Sequence, residues 1–287
     1  RFIKLTSILV NMKKRTKKKL AKFGKKTAKA VITAPFKGLW WLTKKSYSGG
    51  KSVIVKTKTK VEEKKVAKKK PKTQAKYDSL KELRLKKGKL PHFENKLYNN
   101  KSTIGLILGA RGTGKSAIGM RLLENFKAKT DKQIYALGFK DESLPDWIKA
   151  IGNIEEIKNN SVILIDEGGV EFSSRKAMSG ANTFLSELLL IARHKDLSVI
   201  FITQNSSNLE INAIRQADYL VMKPSSLLQK DFERKKIKDV YSQVDKDFEE
   251  LNDPGLTYIY ANNYLGFVSN SLPSFWSDKV SKGYSKR

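Results

Sequence analysis

The sequence predicts an α/β domain with a mainly parallel central sheet, covered by helices on both faces and preceded by a basic, largely disordered arm. Three observations lead to this fold class. Apolar segments without polar alternation recur between helical segments, which is typical of parallel strands buried on both faces. A glycine-rich segment, GARGTGKS, joins the first apolar segment to an amphipathic one. The positive charge is concentrated at one end of the chain.

The charge distribution separates two regions. The chain of 287 residues has 58 Lys and Arg against 28 Asp and Glu, a formal charge of +30. Residues 1–90 hold 31 of the basic residues and 4 of the acidic ones, so residues 91–287 are nearly neutral. We predict an N-terminal arm over 1–90 and a folded domain over 91–287. The absence of cysteine excludes a disulfide framework, a zinc-thiolate site and a cysteine nucleophile.

The Lys-rich arm is open to three interpretations. It would bind nucleic acid through phosphate contacts, or it would be a solvated tail. Alternatively, the segment APFKGLWWLTKK, within residues 30–45, would lie on a membrane surface with Trp40 and Trp41 among the lipid headgroups. No apolar run reaches the ~18–20 residues needed to cross a bilayer. We therefore expect a cytoplasmic protein, in the host cytoplasm if it is viral, or one associated with the membrane surface.

The apolar pattern orders the elements of the domain. Five buried strands are predicted at STIGLILG, QIYALGF, SVILIDEGG, LSVIFITQN and DYLVMK. A helix is predicted at KSAIGMRLLENF, where Ile118, Leu122 and Phe126 share one face. Further helices are predicted at NTFLSELLLIARH, LEINAIRQA and, as one long charged helix, LLQKDFERKKIKDVYSQVDKDFEEL.

Three remaining segments complete the element assignment. LTYIYANNYLGFVS predicts a β-hairpin around Asn262–Asn263, which would add antiparallel strands to the sheet. LPDWIKAIGNIEEI is interpreted as helix or loop, and YDSLKELRLKK, residues 77–87, as a short helix leading into the domain.

The segment GARGTGKS matches the phosphate-binding pattern G-x-x-x-x-G-K-[ST]. Its glycines allow the backbone to turn with N–H groups pointing inward, and the following helix directs its positive end at the same anion. Lys115 would contact the β- and γ-phosphates, and the Ser116 hydroxyl would bind Mg²⁺. The predicted nucleotide-binding residues are Gly109, Ala110, Arg111, Gly112, Thr113, Gly114, Lys115, Ser116 and Ala117.

Two carboxylates end the strand VILIDEGG. In parallel sheets ligands bind at the carboxyl ends of the strands, so Asp166 would hold the metal ion or a water bound to it. Glu167 would orient and deprotonate the attacking water, which favours hydrolysis over binding alone.

Polar residues near the next strand are further catalytic candidates. Thr203 and Gln204 end the strand in VIFITQN, where this polar pair would contact the γ-phosphate or the lytic water, unless it is only a polar strand exit. Arg193, eleven residues earlier, would reach a neighbouring subunit's nucleotide as an arginine finger, or would only interact with the negative end of its own helix. Arg175 is the second candidate for that finger.

The set GARGTGKS, VILIDEGG, ARHKDLSVIFITQN and IRQADYLVMK resembles the HerA/FtsK superfamily of P-loop ATPases, ring-forming motors that translocate double-stranded DNA. The resemblance covers residues 100–225 and includes the viral DNA-packaging branch. IDEGGVEFSSR followed by RHKDLSVIFITQ is also similar to the Zot-like proteins of filamentous phages. The segment between Glu167 and Arg193 is longer than in the compact members of the family.

The resemblance implies a set of roles and partners. Lys115 would be the phosphate lysine, Ser116 and Asp166 the metal ligands, Glu167 the base, Gln204 the polar sensor and Arg193 the trans-acting arginine. The expected cofactors are ATP and Mg²⁺. The expected activity is ATP hydrolysis coupled to translocation of double-stranded DNA by a homo-oligomeric ring, perhaps a hexamer, that packages DNA for a virus or mobile element with a capsid or assembly partner. The alternative is a membrane-associated, Zot-like ATPase for virion assembly or protein export.

Overall fold

The computed structural model describes part of the chain, namely residues 70, 72–167, 181–209 and 211–281, with only the backbone of residues 181–184. Residues 1–69 and 71 of the Lys-rich arm lie outside these residues. For that part of the arm, the prediction of disorder and the prediction of a membrane-surface segment within residues 30–45 lie outside the described residues.

The described residues contain nine strands that form one sheet. In chain order they are β1 (Lys81–Gly88), β2 (Ile104–Leu108), β3 (Gln133–Leu137), β4 (Ile148–Ile151), β5 (Ser161–Asp166), β6 (Leu197–Ile202), β7 (Tyr219–Met222), β8 (Leu256–Ala261) and β9 (Tyr264–Ser269).

The sheet is mainly parallel, as the sequence predicts. Its spatial order is β1-β9-β8-β7-β2-β6-β5-β3-β4. The six strands from β7 to β4 in this order are parallel, whereas β8, β9 and β1 add antiparallel pairs at one side. The strand β6 lies between β2 and β5, so the ends of these three strands are neighbours at one edge of the sheet.

Helices cover both faces of the sheet. One apolar cluster contains buried residues of α1 (Leu90–Asn99), α2 (Lys115–Lys129) and the short α7 (Asp278–Ser281). The cluster on the other face contains residues of α3 (Ala181–His194), α4 (Ile211–Arg215) and α6 (Lys235–Glu250). A further short helix, α5 (Leu227–Phe232), has no buried residue. No helix within the described ranges is long and apolar enough to cross a membrane.

The β-hairpin prediction is confirmed. β8 and β9 pair antiparallel, with Ala261 opposite Tyr264, so that Asn262 and Asn263 form the two-residue connection. Asparagine tolerates the backbone conformations that such short turns require.

The helix predicted for residues 77–87 is wrong, because this segment forms the edge strand β1. β1 pairs antiparallel with β9, from Lys81 opposite Ser269 to Gly88 opposite Tyr264, and two register shifts interrupt the ladder. Lysines and irregular pairing are common on edge strands, where they prevent pairing with another chain. A segment that we assigned to the arm is therefore part of the sheet.

The helix-or-loop interpretation of LPDWIKAIGNIEEI is wrong for its central part, since residues 148–151 form the strand β4 beside β3. Ile148 and Ile151 are three positions apart, a spacing that also occurs on one face of a helix. In the sheet they point to opposite faces, and each joins a different apolar cluster.

The long charged helix predicted after residue 226 is divided into α5 and α6 at Glu233 and Arg234. The buried carboxylate of Glu233 accepts hydrogen bonds from the backbone N–H, at 2.9 Å, and the hydroxyl of Ser206. Arg234 donates to the backbone oxygens of Ser206 and Leu209. These contacts fix the extended backbone of the break, and neither proline nor glycine marks it in the sequence.

A buried ion pair on α2 binds two distant segments of the chain. The guanidinium of Arg121 lies 2.8 Å from the carboxylate of Glu124, and both side chains are buried. The Glu124 carboxylate accepts hydrogen bonds from the backbone N–H groups of Lys76 and Ser274, and Arg121 donates to the backbone oxygens of Ser271 and Leu272. The start and the end of the described chain therefore both pack on the helix that follows the phosphate loop.

Candidate active site

The order of the strands brings three predicted groups of residues to one edge. The phosphate loop follows β2, Asp166 ends β5 with Glu167 next to it, and Thr203 follows β6. Because β6 lies between the other two strands and all three are parallel, their carboxyl ends are adjacent.

The glycines of the phosphate loop have backbone conformations that other residues rarely adopt. The φ angles are +149° at Gly109, +81° at Gly112 and +89° at Gly114. At Gly109 a Cβ atom would lie 2.6 Å from Cβ of Lys223, which is too close for a non-bonded contact. Gly114 is the N-cap residue of α2 and has no side chain to cap the helix, so the first N–H groups of α2 remain available to an anion.

Lys115 extends its ammonium group back across the loop. Its Nζ atom donates hydrogen bonds of 2.8 Å to the backbone oxygens of both Gly109 and Ala110. The residue is only 8% exposed. Burial lowers the pKa of Lys115, and the negative charges of Asp166 and Glu167 act in the opposite direction. A cation is thus held inside the loop within electrostatic reach of both carboxylates.

The other predicted loop residues have different environments. Arg111 is exposed and Ser116 is half-buried in the first turn of α2, whereas Ala117 is buried. Thr113 donates a hydrogen bond of 2.7 Å from its hydroxyl to the backbone oxygen of Ala110, which closes the turn. The N–H group of Ala110 donates to the backbone oxygen of Pro224, so the loop is also fixed to the segment that follows β7.

Asp166 is the last residue of an entirely buried strand and is 9% exposed. Burial raises the pKa of Asp166 to about 6, despite a hydrogen bond from the N–H of Glu167 and the charge of Lys115, which favour its ionised form. An ionised carboxylate here is therefore costly, and a bound cation would stabilise it.

The carboxylate of Glu167 is held by groups at the end of β6. Its Oε2 atom accepts hydrogen bonds from the Thr203 hydroxyl at 3.2 Å and from the backbone N–H of Gln204 at 3.1 Å. Its Oε1 atom accepts one from the side-chain amide of Asn208. Glu167 is thus oriented from the strand that lies between β2 and β5.

The predicted sensor Gln204 contacts Glu167 through its backbone, and its side chain is exposed. Its backbone oxygen accepts a hydrogen bond from the amide of Gln229 on α5. Asn208 was missed by the sequence analysis, because it follows the strand end by several residues in a segment without a recognisable motif. Its contact with Glu167 depends on the short 3-10 turn at Ser206–Asn208.

Only one of the two arginine-finger candidates, Arg193, lies within the described residues, and it is remote from the phosphate loop. Arg193 lies in the last turn of α3, next to the start of β6, and its guanidinium donates to the Gln216 side chain at 3.0 Å. The six-residue strand β6 is roughly 20 Å long and separates Arg193 from the site. Arg193 therefore cannot reach Lys115 of its own subunit. Arg175 lies outside the described residues.

The donor set of the site fits a phosphate chain with Mg²⁺. A loop of glycines, an uncapped helix start and a buried ammonium group suit polyphosphate, while Ser116 and Asp166 supply the two oxygen ligands expected at such a metal. Within the described ranges there is no cluster of three or more histidine or carboxylate side chains that would hold a metal alone. Substrate oxygens and waters would thus have to complete the coordination.

Comparison with known proteins finds similarity only among solved structures. No family model matches the chain, and no curated protein matches it. The genome packaging NTPase B204 from Sulfolobus turreted icosahedral virus 2, in complex with ATP-gammaS, aligns over 61% of this chain and 100% of its own, with 16% identity and a TM-score of 0.41.

Two further structures belong to other classes. EssC (ATPases 2 and 3) from Geobacillus thermodenitrificans aligns over 72% of this chain and 47% of its own, with 13% identity and a TM-score of 0.40. The N-terminal domain of zonular occludens toxin from Neisseria meningitidis aligns over 64% of this chain and 99% of its own, with 14% identity and a TM-score of 0.33.

At such identities and TM-scores, the assignment of fold rests on the chain itself. A phosphate loop between β2 and α2, with carboxylates at the end of the parallel strand β5, gives this chain the fold of a P-loop nucleoside triphosphatase.

Proposed function

We propose that this protein is an Mg²⁺-dependent ATPase whose hydrolysis drives the movement of double-stranded DNA through a homo-oligomeric ring. The observation that carries the ATPase part is the position of Glu167. Its carboxylate is fixed by Thr203 and the N–H of Gln204 at the sheet edge that also bears Lys115. A protein that only binds nucleotide has no need of an oriented base beside its phosphate loop.

Each residue of the site has a role in this reaction. Lys115 and the loop N–H groups would bind the phosphates, and Ser116 with Asp166 would hold Mg²⁺, which neutralises charge on the β- and γ-phosphates. Glu167 would accept a proton from water as the water oxygen bonds to the γ-phosphorus and the bond to the β,γ-bridging oxygen breaks. A neighbouring subunit's arginine, Arg193 or Arg175, would stabilise the developing charge.

The coupling to DNA rests on two features of the sequence. The first is the resemblance of residues 100–225 to DNA-translocating motors. The second is the excess of lysine in residues 1–90, which would bind a phosphate backbone without reading bases. Packaging of the DNA of a virus or mobile element is the process that such a small motor would serve.

The test is ATP hydrolysis by the purified full-length protein, with and without double-stranded DNA, beside Glu167→Gln. We expect DNA to stimulate turnover severalfold and the variant to retain ATP binding without turnover. Sedimentation in the presence of Mg²⁺ and a non-hydrolysable ATP analogue would detect the ring. ATP hydrolysis at the same rate with and without DNA would contradict the proposed DNA motor. ATP hydrolysis retained in Glu167→Gln would contradict the role of Glu167 as the base.

A second candidate function is a membrane-associated, Zot-like ATPase for virion assembly or protein export. The sequence feature that favours it is the segment APFKGLWWLTKK, with adjacent Trp40 and Trp41 among lysines. Flotation of the full-length protein with vesicles containing anionic lipid distinguishes the two. Binding that requires both tryptophans, combined with turnover indifferent to DNA, would favour the membrane function.

A further inference from the structure

A second lysine lies directly beneath the phosphate loop. Lys223 follows β7, the neighbour of β2, and its backbone N–H donates to the backbone oxygen of Leu108 at 2.8 Å. Its side chain is 1% exposed. A Cβ atom at Gly109 would lie 2.6 Å from its Cβ, and one at Gly114 would lie 3.9 Å from its Nζ. The side chain therefore extends under the loop from its first glycine to the glycine before Lys115.

Neutral oxygens hold the ammonium group of Lys223. Its Nζ atom donates to the backbone oxygen of Gly255 at 3.0 Å and to the side-chain oxygen of Asn270 at 2.8 Å. Gly255 precedes β8 and Asn270 follows β9, so the contacts join the phosphate loop to the open end of the hairpin. Across the described residues, no carboxylate forms an ion pair with Lys223.

The charged and titratable groups around Lys223 do not compensate for its burial. Asp253, in the turn before β8, is the nearest acidic influence, but its carboxylate accepts hydrogen bonds from Gly255 and Ser269. Tyr241 on α6 donates its hydroxyl to the backbone oxygen of Lys223, and burial raises the pKa of Tyr241, so it stays neutral. Lys115, the other cation at the loop, donates its hydrogen bonds to Gly109 and Ala110 and offers Lys223 no counter-charge. Burial lowers the pKa of Lys223 to about 7.

An anion bound in the loop changes this balance. Phosphate groups in the loop would supply the counter-charge that the surroundings of Lys223 lack, and buried charges are screened only weakly. The charged form of Lys223 would then become the favoured one. In return, the cation would attract the phosphates from beneath the loop.

We propose that Lys223 is a second cation of the phosphate site, which becomes charged when nucleotide phosphates occupy the loop. This inference rests on the proposed nucleotide binding. Lys223 acts through the loop without touching the substrate, and it is therefore a positioning residue. Its hydrogen bonds to Gly255 and Asn270 strengthen in the charged state and connect loop occupancy to the ends of β8 and β9.

Proton uptake on binding is the observable consequence. At pH 8, Lys223 is mostly neutral in the free protein and charged in the complex, so binding takes up close to one proton. The affinity for nucleotide consequently falls as the pH rises above 7, by up to about tenfold for each pH unit. Phosphate groups have a second pKa of about 6, so at pH 8 they contribute little to this proton balance.

The experiment is calorimetric titration of Mg²⁺–ADP into the full-length protein at pH 8, in two buffers that differ in ionisation enthalpy. The difference in heat gives the number of protons taken up. We expect proton uptake by the wild type and none by Lys223→Met. At pH 7, the affinity of Lys223→Met for ADP should be about tenfold lower than that of the wild type. Asn270→Asp would place a carboxylate beside the ammonium group and keep it charged before binding. It should retain ADP affinity but lose the uptake.

Lys132→Met is the matched control. Lys132 is also buried, burial lowers its pKa, and it donates to the backbone oxygens of Asn100 and Lys101, away from the loop. Lys132→Met should still take up a proton when ADP binds.

Three results would overturn the proposal. They are ADP binding by the wild type without uptake, uptake that persists in Lys223→Met, and equal loss of uptake in the control. If Lys223→Met does not fold, the wild type and Asn270→Asp decide the question. A wild type that binds no ADP at all would overturn the proposed function together with this inference.

Discussion

The backbone N–H of Gln204 donates a 3.1 Å hydrogen bond to the carboxylate of Glu167. This contact links the ends of two neighbouring parallel strands, so the proposed base is oriented by the strand that lies between it and the phosphate loop. The Thr203 hydroxyl contacts the same carboxylate oxygen, Oε2. The orientation of Glu167 can therefore be perturbed without changing Glu167 itself.

Thr203→Val should lower kcat for ATP hydrolysis by about 10- to 100-fold, because it removes one hydrogen bond to a charged group. The Gln204 N–H would still hold the carboxylate, and the KM for ATP should stay within about twofold because the interaction that is removed is one with Glu167. Steady-state kinetics measure both constants. Thr203→Ser keeps the hydroxyl and should remain near wild type. An equal loss in Thr203→Ser would mean that packing, not the hydroxyl, matters.

Asp166→Asn should stabilise the protein in EDTA at pH 7.5 by about 1–3 kcal/mol. The pKa of Asp166 is about 6 in the folded protein, above its ordinary value of 3.8. The folded state therefore binds more protons than the unfolded state between these values, and stability falls as the pH rises through this window. Above pH 6, the ionised and buried Asp166 carboxylate destabilises the folded protein by the full amount. Asparagine carries no charge and therefore avoids this loss of stability.

Denaturant unfolding in EDTA measures this effect. The same variant should lose the stabilisation that Mg²⁺–ATP gives to the wild type. A variant less stable than the wild type in EDTA at pH 7.5 would contradict the argument from burial.

The lowered pKa of Lys223 predicts that this residue makes stability rise with pH, the opposite direction to the effect of Asp166. Its pKa is about 7 in the folded protein against an ordinary value of 10.5, so the unfolded state binds more protons between these values. The free energy of unfolding should rise with pH from 7 towards 10. Below pH 7, the buried ammonium group of Lys223 destabilises the folded protein by the full amount. Urea unfolding of the wild type minus that of Lys223→Met should show this rise. A pH-independent difference would mean that the lysine is charged throughout.

Gly109→Ala should destabilise the protein more than Gly112→Ala. Both positions have positive φ angles, but a Cβ atom at Gly109 would collide with the Lys223 side chain, whereas one at Gly112 would have no atom within 4 Å. Overpacking of this kind costs about 1–3 kcal/mol. Thermal unfolding of both variants measures the difference. Equal melting temperatures would show that the strand end moves to accept the methyl group.

Mixing two inactive variants tests the role of Arg193. Since Arg193 lies at the opposite edge of the sheet, it can only serve a neighbouring subunit's site. Arg193→Ala and Glu167→Gln should each be inactive alone, while mixed rings would contain some sites with both residues intact. Part of the ATPase activity should therefore return on mixing.

Arg215→Ala is the control for Arg193→Ala, because Arg215 is another exposed arginine at the end of a helix. It should be active alone. Failure of the mixture to recover activity would transfer the finger assignment to Arg175.

The sequence predicted those features that short local patterns specify. The buried strands, the phosphate loop and the two-residue connection at Asn262 depend on residues adjacent in the chain. The strand β1 could not be predicted this way, because its pairing with β9 depends on residues almost two hundred positions away. The break at Glu233 likewise depends on a buried contact with Ser206, and no local residue type marks it.

The candidate site follows the same division. Asp166 and Glu167 were located by their position at a strand end, whereas the contact of Asn208 with Glu167 needed the folded loop. The burial of Lys223 could not be predicted from the sequence, because a lysine at the end of a strand usually reaches solvent. The order of the strands, which places β7 beside β2, is what buries it.

The Arg121–Glu124 pair on α2 sets the limits of the smallest fragment that can fold. The change of composition near Pro91 suggests a natural place to shorten the protein. A fragment beginning there would lose β1 and the N–H group of Lys76 that satisfies Glu124. One ending before Ser271 would strip the same buried carboxylate of the N–H and hydroxyl groups of Ser274. Either truncation would leave the buried Glu124 carboxylate with fewer hydrogen bonds, so removing either end of the domain would destabilise α2, the helix that follows the phosphate loop.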